Sequence, residues 1–223
     1  MTCLYGTYIY FFSFHFKVLA SIICYIYNIL IIYSELVMTS QFLAGVDEVG
    51  RGCLAGPVIS VAIILKDTID RSLMIDSKKL TALRRVKLAN YILKNSHSVG
   101  VGESSNHQID EVNIHNATLI SMRRALMNLD LKPDMAYIDG IHKPDTDINS
   151  KCFIQGDDLI PEISAASIVA KVLRDNIMIR LDKMLPVYGF SRHKGYGTKE
   201  HVHAIELFGP SVYHRFSFAP LKN

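Results

Sequence analysis

Hydrophobic and polar residues follow the periods of strands and helices over most of this chain, but its first 37 residues follow neither period. Within that segment the run from Val18 to Tyr33 is nearly all apolar, and Lys17 and Glu35 are its only charges. The pattern changes at Phe42. A short apolar run, Phe42 to Val46, stops at Asp47-Glu48; a Gly-rich turn with Gly50, Gly52 and Gly56-Pro57 follows, then a β-branched run from Val58 to Leu65. This order predicts strand, loop, strand. Leu80 to Leu93 places apolar residues at helical spacing with Lys and Arg between them, and predicts an amphipathic helix. His97 to Gly102 alternates weakly, as a third strand would. Asn113 to Leu129 predicts a second helix, capped by Asn113 or Asn116 and broken by Lys132-Pro133-Asp134. An apolar strand, Met135 to Ile138, then ends in Asp139-Gly140, and a short strand is expected at Cys152 to Ile154. Pro161 marks the start of a long helix reaching about Met184. A last helix, Thr198 to Phe208, is expected to be capped by Thr198 and stopped by Gly209-Pro210.

Strands followed by alternating helix and strand imply a mixed sheet covered by helices, an α/β fold. No internal repeat interrupts the order. With 223 residues, 49% hydrophobic and 20% charged, the chain can bury one substantial core, so one catalytic domain over 38–223 is expected. The apolar segment is slightly shorter than the roughly 20 residues a bilayer core needs. It has no basic region before it, no A-x-A-like cleavage site and no Lys/Arg cluster on its flanks. Met38-Thr39-Ser40-Gln41 would make an ordinary start. We therefore read residues 1–37 as an over-extended start in preference to a membrane anchor, and expect a cytoplasmic protein with no membrane partner. A formal charge of +3 suits a polyanionic partner without demanding one. Cys3, Cys24, Cys53 and Cys152 form no C-x-x-C pair, so neither a zinc knuckle nor a disulfide framework is suggested, and a reducing compartment is the simplest reading.

Acidic residues stand where strands are expected to stop: Asp47-Glu48, Asp139 and Asp157. In α/β sheets ligand sites gather at strand ends, where side chains leave the packed interior on a rigid scaffold. Hard divalent cations need several carboxylate oxygens converging from different segments. Four carboxylates without a convincing His or Cys partner point to a two-metal site for phosphodiester chemistry. One geometric objection stands, because adjacent residues of a regular strand face opposite sides of the sheet. Asp47 and Glu48 can share a site only if the strand ends or bulges there, which Gly50 and Gly52 would permit. Taken singly, each acid is also a plausible solvated turn residue, and Asp139-Gly140 is a common turn dipeptide.

The string Asp47-Glu48-Val49-Gly50-Arg51-Gly52, followed by Leu54-Ala55-Gly56-Pro57-Val58, resembles the signature of the ribonuclease HII family. Further segments match in order: Asp76-Ser77-Lys78-Lys79-Leu80, Ile138-Asp139-Gly140, Gly156-Asp157, Ser164 to Lys171, Arg174-Asp175, Gly195-Tyr196-Gly197-Thr198, and the tail His214-Arg215-Phe216-Ser217-Phe218. The resemblance covers about Phe42 to Pro220. It implies an RNase H-like fold, with a mixed five-stranded sheet flanked by helices and a helical C-terminal part. It also implies that Asp47, Glu48, Asp139 and Asp157 bind two Mg²⁺ or Mn²⁺ ions, one activating water and the other stabilising the leaving 3′-oxygen. By the same resemblance the Gly50-Arg51-Gly52 loop would meet the 2′-hydroxyl at the cut, and Tyr196 would stack at the RNA–DNA junction. Both roles are physically sound: glycine lets backbone approach a sugar, the 2′-hydroxyl distinguishes RNA from DNA, and a ring contact tolerates any sequence. The implied substrates are RNA–DNA hybrids and duplex DNA carrying ribonucleotides, cut to 3′-hydroxyl and 5′-phosphate ends. A monomer without a small-molecule cofactor is expected.

Rival readings stand beside these. Arg51 could be a plain phosphate clamp, and Tyr196 a packed ring in a turn. Lys78 and Lys79 could touch backbone phosphates or form a solvated basic face. Lys171 and Asp175 are spaced for a structural pair. His201 and His203 suit neither one helical face nor a zinc finger, so a surface role is expected. Ser164 and Ser167 lack a His–acid arrangement, which argues against a serine hydrolase; their small-residue helix can pack closely on the sheet. For the chain as a whole, the competing readings are a ribonuclease HIII type, which would carry a long N-terminal substrate-binding domain, a silent nucleic-acid-binding module of the same fold, and a membrane-anchored nuclease.

Overall fold

Val58–Leu65 (β2) is buried at every position, which is how a strand covered on both faces reads in sequence. It pairs antiparallel with Leu43–Val49 (β1) and with Ser96–Ser104 (β3). On the other side of β1, Met135–Asp139 (β4) runs parallel to it, and Ser150–Phe153 (β5) runs parallel to β4. The result is a mixed five-stranded sheet of order β3-β2-β1-β4-β5. The structure is a computed structural model that describes residues 42–74 and 80–222. The apolar extension 1–37 and Lys78 lie outside the described residues.

Side chains alternate across β2 and so divide the core in two. Ile59, Val61 and Ile63 face Ala165, Ala166 and Val169 of the long helix Pro161–Met184 (α4) and Ile92 of Ala82–Lys94 (α1). Ala62 and Ile64 face Met122, Ala125 and Leu126 of Asn106–Met127 (α2), with Val46 and Ile138 beside them. Each such Ile or Val contributes about 1.5–3 kcal/mol by leaving water. A third cluster, built on Leu54, Met178, Tyr188 and Phe190, ties the C-terminal part to the loop after β1. That part contains the one-turn Phe190–His193 (α5) and Lys199–Phe208 (α6).

The helices lie very close to the sheet. A β-carbon on Gly45 of β1 would fall 2.0 Å from the Glu162 carbonyl carbon, and one on Gly102 of β3 would fall 1.9 Å from the Ser121 oxygen. The small-residue run from Ser164 to Ala170 keeps the same distance from the α4 side: Ser164, Ala165, Ala166 and Ala170 are buried against the sheet.

The cap expected at α6 forms, and α1 has one that the residue pattern did not single out. Thr81 Oγ1 accepts from the Arg84 N–H at the start of α1, and Thr198 Oγ1 accepts from the His201 N–H at the start of α6. Helix α2 differs. It begins at Asn106 behind the cap Ser105, ahead of the expected Asn113, because its first two turns bury little besides Asn106 and Ile109 and carry no apolar stripe to read. Asn113 is a cap after all: it leaves helical geometry at φ 65, ψ 165, and its Oδ1 accepts from the Asn116 N–H at 3.0 Å. The short Gly156–Leu159 (α3) and α5 were not expected, since one turn leaves no period in sequence.

The surface role expected for His201 is overturned. Its side chain is fully buried against His193 and His214, whereas His203 is exposed. Lys171 and Asp175 do form the i,i+4 pair, at 2.7 Å. No helix among the described residues is long and apolar enough to cross a membrane.

Candidate active site

Of the two ways for Asp47 and Glu48 to share a site, an end to the strand or a bulge, the bulge does not occur: β1 pairs regularly with β2 from Ala44 to Val49. Pairing with β4, in contrast, stops at Val46 opposite Ile138. The two acids therefore extend past the last β1–β4 rung. Asp47 Oδ1 turns along its own backbone to accept the Glu48 N–H at 2.7 Å, and this brings successive side chains together without a break in the strand. Asp139 ends β4 alongside them. One carboxylate oxygen from each of Asp47, Glu48 and Asp139 lies within 4.8 Å of the others. Asp139 Oδ1 accepts the Gly156 N–H at 2.7 Å, which fixes α3 at the site. Asp157 follows Gly156 on that helical turn rather than at a strand end, and is not one of the three converging acids.

The electrostatics are costly without a counter-ion. Burial holds the Asp47 carboxyl well above the ordinary range, and the Glu48 charge adds to this, while a hydrogen bond from Ser167 opposes it. Burial also raises Glu48, against the Arg51 guanidinium 3.3 Å from its Oε1. Glu48 Oε2 is buried with no hydrogen-bond partner. Three converging carboxylates, one of them carrying an unsatisfied oxygen, fit a hard divalent cation. The Cys and His ligands of a zinc site are not among the converging group.

A pH dependence follows. Raised carboxyls keep protons that ordinary carboxylates have lost, and a cation must displace them. In the metal-free protein these groups stabilise the fold below the ordinary carboxylate value, and that contribution is lost as pH rises through their raised folded values. Metal affinity is thus expected to climb with pH over the same window. Calorimetric metal titrations in buffers of different ionisation enthalpy will show proton release that grows as pH falls. Proton-free binding across the acidic range would contradict the assignment.

The loop after β1 lies beside the acids. Gly50 has φ 98, and a β-carbon there would meet Arg174 Nε at 2.2 Å, so the fold itself requires this glycine. Gly52 is different: it is exposed, and a β-carbon on it would meet nothing within 4 Å. Arg51 is half exposed and paired to Glu48. Tyr196 is brought against this loop by a bridge to Cys53 and by the Leu54 N–H bond to the Gly195 carbonyl. Tyr196 is 41% exposed, and Lys171 Nζ stands 5.9 Å from its ring centre. A cleft of about 290 Å³ beside the acids is lined by Arg51, His115, Thr118, Asp139 and Gln155.

Arg174 and Arg215, both fully buried, were read from the sequence only as parts of motifs. For Arg174 a signal existed. It continues the i,i+4 series Ala166, Ala170, Arg174, Met178 on the buried stripe of α4, where a charge is anomalous. Arg174 donates to the carbonyls of Pro57, Lys194 and Ala55 at 2.8–3.0 Å.

The family model described as Ribonuclease HII matches residues 44–220. A protein of Pseudothermotoga lettingae named "Ribonuclease HII" is 50% identical over 177 residues, covering 79% of this chain and 77% of that protein. One of Pelagibacter ubique with the same name is 47% identical over 184 residues, covering 82% and 98%. Among solved structures, a ribonuclease HII from Archaeoglobus fulgidus in complex with PCNA superposes with a TM-score of 0.69 at 25% identity, covering 79% of this chain and 95% of that one. With the sheet order and the acidic group already in place, these matches leave one reading: the chain belongs to the ribonuclease HII family.

Proposed function

We propose that this chain is an endonuclease that hydrolyses the RNA strand of RNA–DNA hybrids and incises duplex DNA at single embedded ribonucleotides, leaving 3′-hydroxyl and 5′-phosphate ends. The observation that carries this reading is the convergence of Asp47, Glu48 and Asp139 beside a loop with an unobstructed glycine, in a member of this family. The ribonuclease HIII reading is not favoured, because the matching family model is that of ribonuclease HII. Intact acids at all four positions argue against a silent binding module.

Asp47, Glu48 and Asp139 would hold Mg²⁺ or Mn²⁺, with Asp157 as the fourth ligand, one residue beyond the amide that bonds Asp139. Ions bound there supply Lewis-acid charge for activating water and for stabilising the leaving 3′-oxygen in an in-line displacement. The chain's own residues preset that chemistry. The Glu48 amide orients Asp47 and the Gly156 amide orients Asp139, so neither carboxylate must reorganise when substrate arrives. Arg51 balances Glu48 and offers its remaining donors to a backbone phosphate. Tyr196 offers a ring face for stacking on a sugar or base. Lys78, outside the described residues, is assigned a phosphate contact. Residues 38–223 are proposed to act alone, as a monomer, and free Cys53 and Cys152 suit a reducing, cytoplasmic location.

The test is cleavage of a DNA duplex with one ribonucleotide by protein begun at Met38. Cutting at the ribonucleotide, abolished by chelator and restored by Mn²⁺ or Mg²⁺, is the expected result. No cutting, or cutting that survives chelation, would overturn the reading.

Gly52→Ala separates the two reasons for a glycine. Since the fold leaves the position open, stability should change by no more than about 0.5 kcal/mol. A ribose approaching the backbone would be displaced by the methyl group, and cleavage at single ribonucleotides should fall about 10²-fold. Wild-type cleavage by Gly52→Ala would show that no sugar comes that near.

A further inference from the structure

The tail motif around Arg215 has no part in the site as described, yet Arg215 reaches the loop beside it. We infer that Arg215 is the positioning residue for the ribose-reading loop: its guanidinium fixes the Gly50 and Arg51 carbonyls inward, and so turns the Arg51 and Gly52 amides outward to meet a ribose. The inference rests on the assignment of Gly50-Arg51-Gly52 as the ribose contact.

Arg215 is fully buried. Its Nη2 donates to the Gly50 carbonyl at 2.7 Å and to the Gly56 carbonyl at 2.9 Å, its Nη1 to the Arg51 carbonyl at 2.8 Å, and its Nε to Gly56 at 3.0 Å. In a trans peptide the carbonyl and the following N–H point in opposite directions. Holding the Gly50 and Arg51 oxygens against the guanidinium therefore aims the next two amides away from it, on the side where Arg51 and Gly52 are exposed.

The side chain is itself held in place. Its own N–H bonds the Leu54 carbonyl, His214 bridges to Ala55, and Phe218 lies 5.1 Å beneath the guanidinium carbon. Asp110 of α2 accepts the Phe216 and Ser217 amides at 2.9 Å and so secures the tail that carries it.

Its chemistry is specific to loop geometry. Burying a cation is costly, and an apolar side chain would fill the space without that cost. Burial lowers the Arg215 pKa to about 10, which leaves it charged at neutral pH, and carbonyl dipoles are its hydrogen-bond partners. A planar fork meets several carbonyls at fixed angles, which a lysine ammonium cannot do. Arg174 grips the same loop at Ala55 and Pro57, farther along, whereas Arg215 holds the Gly50-Arg51 end.

The test uses the Asp139→Asn protein, so that binding is read without turnover. Its affinities for a duplex with one ribonucleotide and for the all-DNA duplex are compared with those of Asp139→Asn/Arg215→Lys. The lysine keeps the charge and loses the fork. The ratio of the two affinities should fall about tenfold, the worth of one hydrogen bond, while the all-DNA affinity stays within about twofold. A merely structural role would lower both affinities together and leave the ratio intact, and an intact ratio overturns the inference. If the Asp139→Asn protein itself shows no preference for the ribonucleotide, the loop assignment fails and the inference falls with it. Should Arg215→Lys not fold, Phe218→Leu loosens the same guanidinium without stranding a charge. A smaller drop in the ratio for that variant supports the clamp, and an unchanged ratio overturns it.

Discussion

Asp139→Asn and Asp47→Asn will each abolish cleavage, with kcat falling on the order of 10³-fold or more, equivalent to about 4 kcal/mol of transition-state stabilisation. Each substitution keeps the shape of the side chain and removes one anionic oxygen from a group in which three lie within 4.8 Å. Asp47→Asn carries a second, opposite expectation. Its carboxyl is raised by burial and by the neighbouring Glu48 charge, so the metal-free fold is strained by that charge at neutral pH. Neutralising it should stabilise the metal-free protein by about 1 kcal/mol, or roughly 2–4 °C in Tm. Higher stability with lost activity is the signature of a charge kept for chemistry. Single-turnover cleavage with excess Mn²⁺, together with thermal melts in chelator, measures both. Full activity of both variants would remove the basis for the metal assignment.

Gly45→Ala should cause the largest loss of stability from a single methyl group. The added carbon would lie 2.0 Å from the Glu162 carbonyl carbon, 2.1 Å from its oxygen and 2.4 Å from the Ile163 nitrogen. All three are backbone atoms, so no rotamer change relieves the clash, and α4 must lift from β1. The expected loss is about 3 kcal/mol, the upper end for overpacking, or roughly 6–12 °C in Tm. Since α4 carries Ser167 against Asp47 and Arg174 beneath Gly50, metal affinity should weaken as well. Urea and thermal denaturation read the effect. A Gly45→Ala protein melting with the wild type would mean that the helix is not seated as described. Gly52→Ala, seven residues on and facing open space, is the matched contrast.

Elements with a strong period could be read from the sequence to within a few residues. The burial of β2 on both faces, the Pro161 start of α4 and the Thr198 cap of α6 follow from local chemistry. The acids could be identified as a group because each follows an apolar run, but their arrangement could not. Period-two alternation argued that Asp47 and Glu48 should diverge. They converge because β4 stops pairing one residue earlier and Asp47 folds back on the Glu48 amide, and neither event leaves a mark in residue pattern. Asp157 was expected at a strand end; an αL turn at Gln155 puts it instead on a helical turn. The H-x-H spacing of His201 and His203 reports helix geometry alone, whereas the burial of His201 comes from His193 and His214 on other segments. The two buried arginines were hidden for the same reason: their partners are backbone carbonyls far away in sequence, and carbonyls look alike at every position.

The tail clamp also sets an order of events during synthesis. Gly50 and Arg215 are separated by 165 positions, so a ribosome finishes the first loop long before it makes the residue that fastens it. Contacts of such long range are slow to form and come late. Asp47, Glu48 and Asp139 all precede the clamp in translation, so a nascent chain can assemble its acids while the loop beside them is still loose. The capacity to tell ribose from deoxyribose should then arise only once the tail has been made and docked.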